Sequence, residues 1–236
     1  MLLYVICTML IDFHTHKNKL FREKSLAKDK SLSVYSFSVG EDIEEEEYIS
    51  IGIHPWDITE ENIPTAMAFI KDNITNNNVL YVGECGIDRH RANKIPIALQ
   101  QQIFETHIKL SEYYSKPLLI HCVRAFQEIV YLKKKYTPTQ KWIIHGFNNN
   151  ISIAEMLIAE GIILSFGTAL LNENSNAQKV LANVPNNHFM LETDDKDISI
   201  KEVYQAAGKI RNTTIDEIKH ITQQNFENII GHKINY

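Results

Sequence analysis

Leu10-Ile11-Asp12-Phe13-His14-Thr15-His16 is a short apolar run that turns polar at its end, and the rest of the chain is read from it. Asp12, His14 and His16 alternate with Phe13 and Thr15, so a strand places both imidazoles on one face, stacked at its C-terminal end. Such a pair suits a metal ion, although an isolated HxH is as readily structural or incidental.

Working outward, the same design recurs. Candidate strands are Leu10–His16, Ser33–Val39, Tyr48–His54, Val79–Ile87, Pro117–Cys122, Trp142–Phe147, Ile162–Phe166 and Phe189–Asp194. Helical spacing separates them, clearest from Ile97 to Tyr114, and two more helices, near Ser199–Ile210 and Ile215–Ile230, close the chain. Near-continuous apolar strands alternating with helices predict a parallel sheet covered on both faces. An open doubly wound sheet satisfies that pattern. A TIM-type (β/α)₈ barrel satisfies it better, because polar residues end many different strands, where barrel enzymes assemble their sites.

Those endings carry the chemistry. Glu84 lies between Gly83 and Gly86, His121 and His145 each terminate an apolar run, and Glu192 and Asp194 terminate the last one. Any one of them reads equally well as a helix cap. Five strands ending independently in ligand-type residues do not. Four histidines and two carboxylates suit borderline ions such as Zn²⁺ or Mn²⁺, and they suffice for two ions if one carboxylate bridges.

Composition sets bounds. The 236 residues, 44% hydrophobic and 22% charged, fit one globular barrel domain over residues 1–236. A net charge of −5 excludes a broad cationic field for nucleic acid, leaving bound cations to supply positive charge locally. Cys7, Cys85 and Cys122 are too few and scattered for a disulfide framework, and a reducing cytoplasm is expected. Met1 to Leu10 lacks the basic start and cleavage site of a signal peptide, and Met9 is the expected native start. The acidic run Glu44 to Glu47 reads as a solvated loop or helix start.

Taken in order, Asp12-Phe13-His14-Thr15-His16, Gly52-Ile53-His54-Pro55-Trp56, Gly83-Glu84-Cys85-Gly86-Ile87-Asp88, Ile120-His121, His145-Gly146-Phe147 and Glu192-Thr193-Asp194 resemble the motif series of TatD-type metal-dependent deoxyribonucleases. Asn225-Phe226 is similar to that family's closing Asn-aromatic pair. The resemblance implies two divalent ions (Zn, Mg or Mn), with His14, His16 and Asp194 on one, His121 and His145 on the other, and Glu84 bridging. It implies that Asp194 also orients or deprotonates the attacking water. The implied partner is the substrate, DNA or a small phosphodiester; no membrane segment and no obligate protein partner are implied. His54, Arg124 and Arg89 are candidate phosphate contacts, and each has an alternative, His54 outside the metal shell and the arginines in surface ion pairs. Glu192 is a candidate support behind the ligands, while Cys85 and Cys122 face away from them.

Three departures from the family pattern stand out. Lys17 to Gly40 is short and polar, so the barrel is expected to be distorted or to lack a helix after its first strand. Arg124 follows His121 by three residues where the family has two, and Asp195-Lys196-Asp197 replaces a proline-containing loop. No ligand is lost, but the rim that reads substrate differs. Two other classes compete with a nuclease: an amidohydrolase acting on a small C–N or ester bond, whose usual bridging lysine is here Glu84, and a non-catalytic metal-binding barrel.

Overall fold

The computed structural model describes residues 9–17, 31–37 and 48–233. Among them, β1 (Leu10–Thr15), β2 (Ser31–Phe37), β3 (Ile49–Ile51), β4 (Val79–Asp88), β5 (Leu118–Val123), β6 (Trp142–Ile144), β7 (Ile163–Phe166) and β8 (Phe189–Leu191) pair in chain order. Every pairing is parallel. The sheet then closes on itself, because Thr15 bridges Asp194 in parallel register. Sequential order with the first and last strands in contact is a barrel, and it excludes the doubly wound alternative.

Helices α1 (Ile63–Asn73), α2 (Ile97–Tyr113), α3 (Phe126–Tyr136), α4 (Ile151–Ala159), α5 (Asn176–Leu181), α6 (Ile200–Ile210) and α7 (Ile215–Ile230) lie between or after the strands. Their starts are chemically marked. Asn150, Ser175, Ser199 and Thr214 each accept a first-turn backbone N–H at the heads of α4, α5, α6 and α7. The expected shortage of helix after β1 concerns residues 18–30, which lie outside the described residues, as do Met1, Cys7 and the run Glu44 to Glu47. No helix among the described residues is long and apolar enough to cross a membrane.

Two apolar layers sandwich the sheet. Outside, residues such as Trp142, Ile144 and Phe166 pack against the helices, with Phe104 of α2 in edge contact with Trp142 at 5.7 Å. Inside, Phe13, Tyr81, Leu119, Ile143, Ile163 and Met190 form one buried cluster. Leu119, Ile143 and Met190 each lie two residues before a polar strand end, at His121, His145 and Glu192, so the packed interior continues upward into the polar mouth. Below, Phe226 of α7 meets Phe13 and Tyr81 edge-on, while Asn225 donates to the carbonyls of Asn186 and Phe189 at the start of β8.

Three strands stop sooner than alternation predicts. β3 ends at Ile51 rather than His54, β6 at Ile144 rather than Phe147, and β8 at Leu191 rather than Asp194. For the last two the cause is a change of partner. His145 N–H bonds back to Ile120 of β5, then Phe147 N–H bonds forward to Ser165 of β7, with Gly146 between them at φ 59°. Likewise Glu192 N–H reaches Phe166 of β7 and Asp194 N–H reaches His14 of β1, Asp194 itself having φ 54°. The ligand-type side chains therefore sit on the bends.

β1 departs from simple alternation too. Its register with β2 shifts between Asp12 and Thr15. Asp12 turns to β8, where its two carboxylate oxygens accept the Thr193 N–H at 2.8 Å and the Thr193 hydroxyl at 2.6 Å. Asp12 therefore clamps the seam of the barrel, while His14 and His16 both face Glu84 in the mouth.

Candidate metal centre

Glu84 occupies the middle of the mouth on a strand segment, Glu84-Cys85, that has a glycine on either side, Gly83 and Gly86. A Cβ on Gly83 would stand 2.3 Å from the Leu119 carbonyl oxygen and one on Gly86 would stand 2.0 Å from that of His121. Both glycines have φ near +145° (144° and 146°), a conformation closed to L side chains. Two glycines let β4 and β5 approach closely and swing Glu84 inward.

Its carboxylate divides its surroundings. Glu84 Oε2 lies 3.3 Å from His14 Nε2 and 3.2 Å from His16 Nε2. Glu84 Oε1 lies 2.7 Å from His145 Nε2, 2.9 Å from His121 Nδ1 and 3.1 Å from His54 Nε2. Asp194 completes the first side, its Oδ1 3.5 Å from His14 Nε2 and 3.6 Å from His16 Nε2. His14 and Glu84 are buried, whereas the Asp194 side chain remains 32% open to a cavity of about 900 Å³.

The donor set fits divalent cations. Three groups, His14 with His145 and Asp194, His14 with His16 and Glu84, and His54 with Glu84 and His121, each present ligand atoms within 4.8 Å of one another. His14 Nε2 and Glu84 Oε2 are both buried without a hydrogen-bond partner, although 3.3 Å apart. They are near each other without being aimed at each other, as two lone pairs directed at a common third atom would be.

Electrostatics reinforce the fit. Burial pushes the Glu84 carboxyl up, but the charge of His145 and the close imidazoles of His121, His14 and His145 hold it well below the usual carboxylate range. Asp194 behaves alike: burial opposes ionisation and His14 overrides it. Burial would keep His14 neutral, yet Asp194 and Glu84 raise its pKa to about 9. The mouth is a buried anionic pocket that draws positive charge.

Around this set the remaining residues separate. His54 stands with the Glu84 Oε1 group, Nε2 3.2 Å from His121 Nδ1. Glu192 accepts from Gly146 N–H at 2.6 Å and from Ser165, and its Oε1 is 3.7 Å from His145 Nδ1. Arg89 is drawn away into an ion pair with Glu128. Arg124 ends β5 exposed, with φ 54° and no hydrogen bond or ion pair among the described residues. Cys85 is fully buried and donates toward the Leu119 carbonyl, and Cys122 is half-buried.

Two residues escaped the sequence reading. Asp88 Oδ2 lies 3.3 Å from His121 Nε2 and also accepts from Trp56 Nε1 at 2.5 Å. The signal was present, since Asp88 follows Glu84 by four residues on the same strand, but a long strand with an irregular register hides which face it meets. His107 of α2 is fully buried, accepts the Ile53 N–H through Nε2 at 3.0 Å and uses Nδ1 against the Ile103 carbonyl at 2.8 Å. It thereby holds the backbone next to His54, and nothing in a helical apolar stripe advertises that role.

Comparison with known proteins agrees with this geometry. The model of the TatD-related DNase family matches residues 25–231, a range that begins after His14 and His16. A Bacillus subtilis protein described as an uncharacterized metal-dependent hydrolase is 27% identical over 92% of this chain and 97% of its own. A human protein described as a 3′-5′ RNA nuclease is 31% identical over 48% of this chain and 15% of its own. The crystal structure of a TatD homologue from Escherichia coli shares the fold, with a TM-score of 0.77 at 19% identity over 93% of this chain and 97% of that one. With the family model spanning residues 25–231, most of the sequence, this chain belongs to the TatD-related DNase family of metal-dependent hydrolases.

Proposed function

We propose that this chain is a two-metal phosphodiesterase that hydrolyses DNA. One observation carries the reading: the two oxygens of Glu84 face separate histidine sets, His14 with His16 and His121 with His145. A carboxylate so placed would hold two cations, one through each oxygen, with His14 and His16 on one side and His121 and His145 on the other. When bound, such a pair neutralises phosphoryl oxygens, acidifies water and stabilises the leaving alkoxide.

The protein's own groups do the rest. Asp194, held ionised beside His14 and open to the cavity, orients the attacking water and takes its proton as the water oxygen bonds to phosphorus. The phosphorus–oxygen bond to the departing sugar breaks, and that oxygen recovers a proton from the site or solvent. His54, beside His121 at the inner wall, contacts a phosphoryl oxygen. Arg124, exposed and unpaired, reaches the chain of phosphates further out, whereas the Glu128 ion pair removes Arg89 from that role. Glu192, 3.7 Å behind His145 Nδ1 and bonded to the Gly146 N–H, supports the strand end that carries His145.

The test is metal quantification joined to hydrolysis of bis-p-nitrophenyl phosphate, DNA, RNA and small amides. Close to two cations per chain and metal-dependent release of nucleotides from DNA are expected. Metal-saturated protein that leaves phosphodiesters intact overturns the reading, and turnover of the amides alone would replace it with an amidohydrolase.

A further inference from the structure

The chain has two tryptophans, and they are used oppositely. Trp142 is fully buried in the core, while Trp56 is 50% exposed at the mouth of the cavity that contains Glu84 and Asp194. A rim tryptophan ordinarily has rotamers to spare. Trp56 does not. Its indole Nε1 donates to Asp88 Oδ2 at 2.5 Å, its backbone N–H donates to His54 Nδ1 at 3.1 Å, and the Arg91 guanidinium lies 4.2 Å over the ring. The ring centroid is 5.1 Å from that of His54 and 5.9 Å from that of His121, within one nucleotide of the candidate metal centre.

An indole locked half in solvent by Asp88 and Arg91 presents a pre-set aromatic face to whatever enters the cavity. The cavity wall points to which ligand. Asp57, Asp195 and Asn62 line it, Arg89 is engaged by Glu128, and the whole chain carries a net charge of −5. Such a wall attracts few phosphates. Beyond the metal centre and the outer Arg124, a polynucleotide bound along this wall gains its affinity from the faces of its bases.

We propose that Trp56 is a base-stacking platform: a nucleobase adjacent to the scissile phosphodiester lies against the indole, with Arg91 backing the ring and Asp88 setting its angle. The proposal rests on the phosphodiesterase reading above. It makes Trp56 a specificity-determining residue that selects unstacked bases without regard to sequence, because every base offers a π-face. Arg91 adds cationic character to the stack without holding a phosphate.

Because Asp88 also faces His121, removing Trp56 has two routes to an effect, and the test separates them. Metal-loaded wild-type, Trp56→Ala and Trp56→Phe proteins are assayed on a short single-stranded oligodeoxynucleotide and on an abasic deoxyribose-phosphate oligomer of the same length. Stacking on this scale changes affinity by roughly 5- to 150-fold. Trp56→Ala is expected to raise KM for the base-bearing strand by about tenfold or more beyond any rise on the abasic strand, and Trp56→Phe, which keeps a ring but loses the bond to Asp88, recovers most of that gap. A reading without turnover comes from Trp142→Phe, which leaves Trp56 as sole emitter: its fluorescence is quenched saturably by the base-bearing strand and not by the abasic one. Equal losses on both strands, or no change in KM for the base-bearing strand, overturn the platform alone. Wild-type protein that hydrolyses neither strand overturns the phosphodiesterase reading and the platform with it.

Discussion

His121 turns its Nε2 to the carboxylate of Asp88, 3.3 Å away, and so keeps Nδ1 for Glu84. A carboxylate behind a ligating imidazole fixes its tautomer and strengthens it as a donor. Burial opposes ionisation of Asp88, but His121, Trp56 and the His90 N–H hold its pKa well below the usual range, so the charge that orients the ring is present at neutral pH. Asp88→Asn is expected to weaken zinc binding by roughly 10- to 100-fold with an unchanged far-ultraviolet circular dichroism spectrum. Calorimetric titration giving wild-type affinity would mean that packing alone aims His121.

Glu84 is the one group shared by both histidine sets. Its conversion to glutamine keeps the shape and removes the charge, so the chain should retain at most one tightly bound cation and hydrolysis should fall to background. Elemental analysis after exhaustive dialysis measures this. Two cations retained by Glu84→Gln would remove the bridge from the mechanism.

Asp12 and Thr193 bind across the seam between β1 and β8 with two hydrogen bonds in a buried setting. Asp12→Ala strands the Thr193 N–H and leaves the Thr193 hydroxyl only Thr15 as a partner, which should lower unfolding free energy by about 1–3 kcal/mol. Thr193→Val should cost less in the Asp12→Ala background than in wild type, because both remove the bond from the Thr193 hydroxyl to Asp12. Additive losses in urea titrations at pH 7.5 would deny the clamp.

His107 supplies a pH dependence whose sign is fixed by burial. Burial lowers its pKa from 6.5 to about 4, the Ile103 carbonyl opposing only in part. The unfolded chain therefore binds a proton that the folded one refuses between those values, and stability falls as pH drops from 6.5 toward 4. The full effect is on the order of 3 kcal/mol from a shift of that size. Urea midpoints should decline more steeply with acid in wild type than in His107→Gln; parallel declines would show that His107 is not the group responsible.

Much of this was legible because a barrel spreads its site over many strand ends. His14, Glu84, His121, His145 and Asp194 each terminate a recognisable apolar run, and the geometry brings all five within reach of one another. Alternation failed where a strand changes partner, as at His145 and Asp194, or slips register, as between Asp12 and Thr15. Those are long-range events with no local trace. Arg89 illustrates another limit: its position after Glu84 suggests a phosphate contact, and only folding reveals that α3 brings Glu128 alongside it. Asp88 and His107 act through other residues, and sequence spacing carries no mark of such indirect support.

The seam itself has a temporal consequence. Asp194 threads its backbone between His14 and His16, its N–H on the carbonyl of one and its carbonyl on the N–H of the other. A ribosome that has made the first seven strands has already joined His14, His16, Glu84, His121 and His145 into the chain, yet Asp194, which registers the opening histidine pair, has not been added. If the proposed roles hold, cutting power is withheld from the growing polypeptide and conferred in one stroke when its tail meets its beginning.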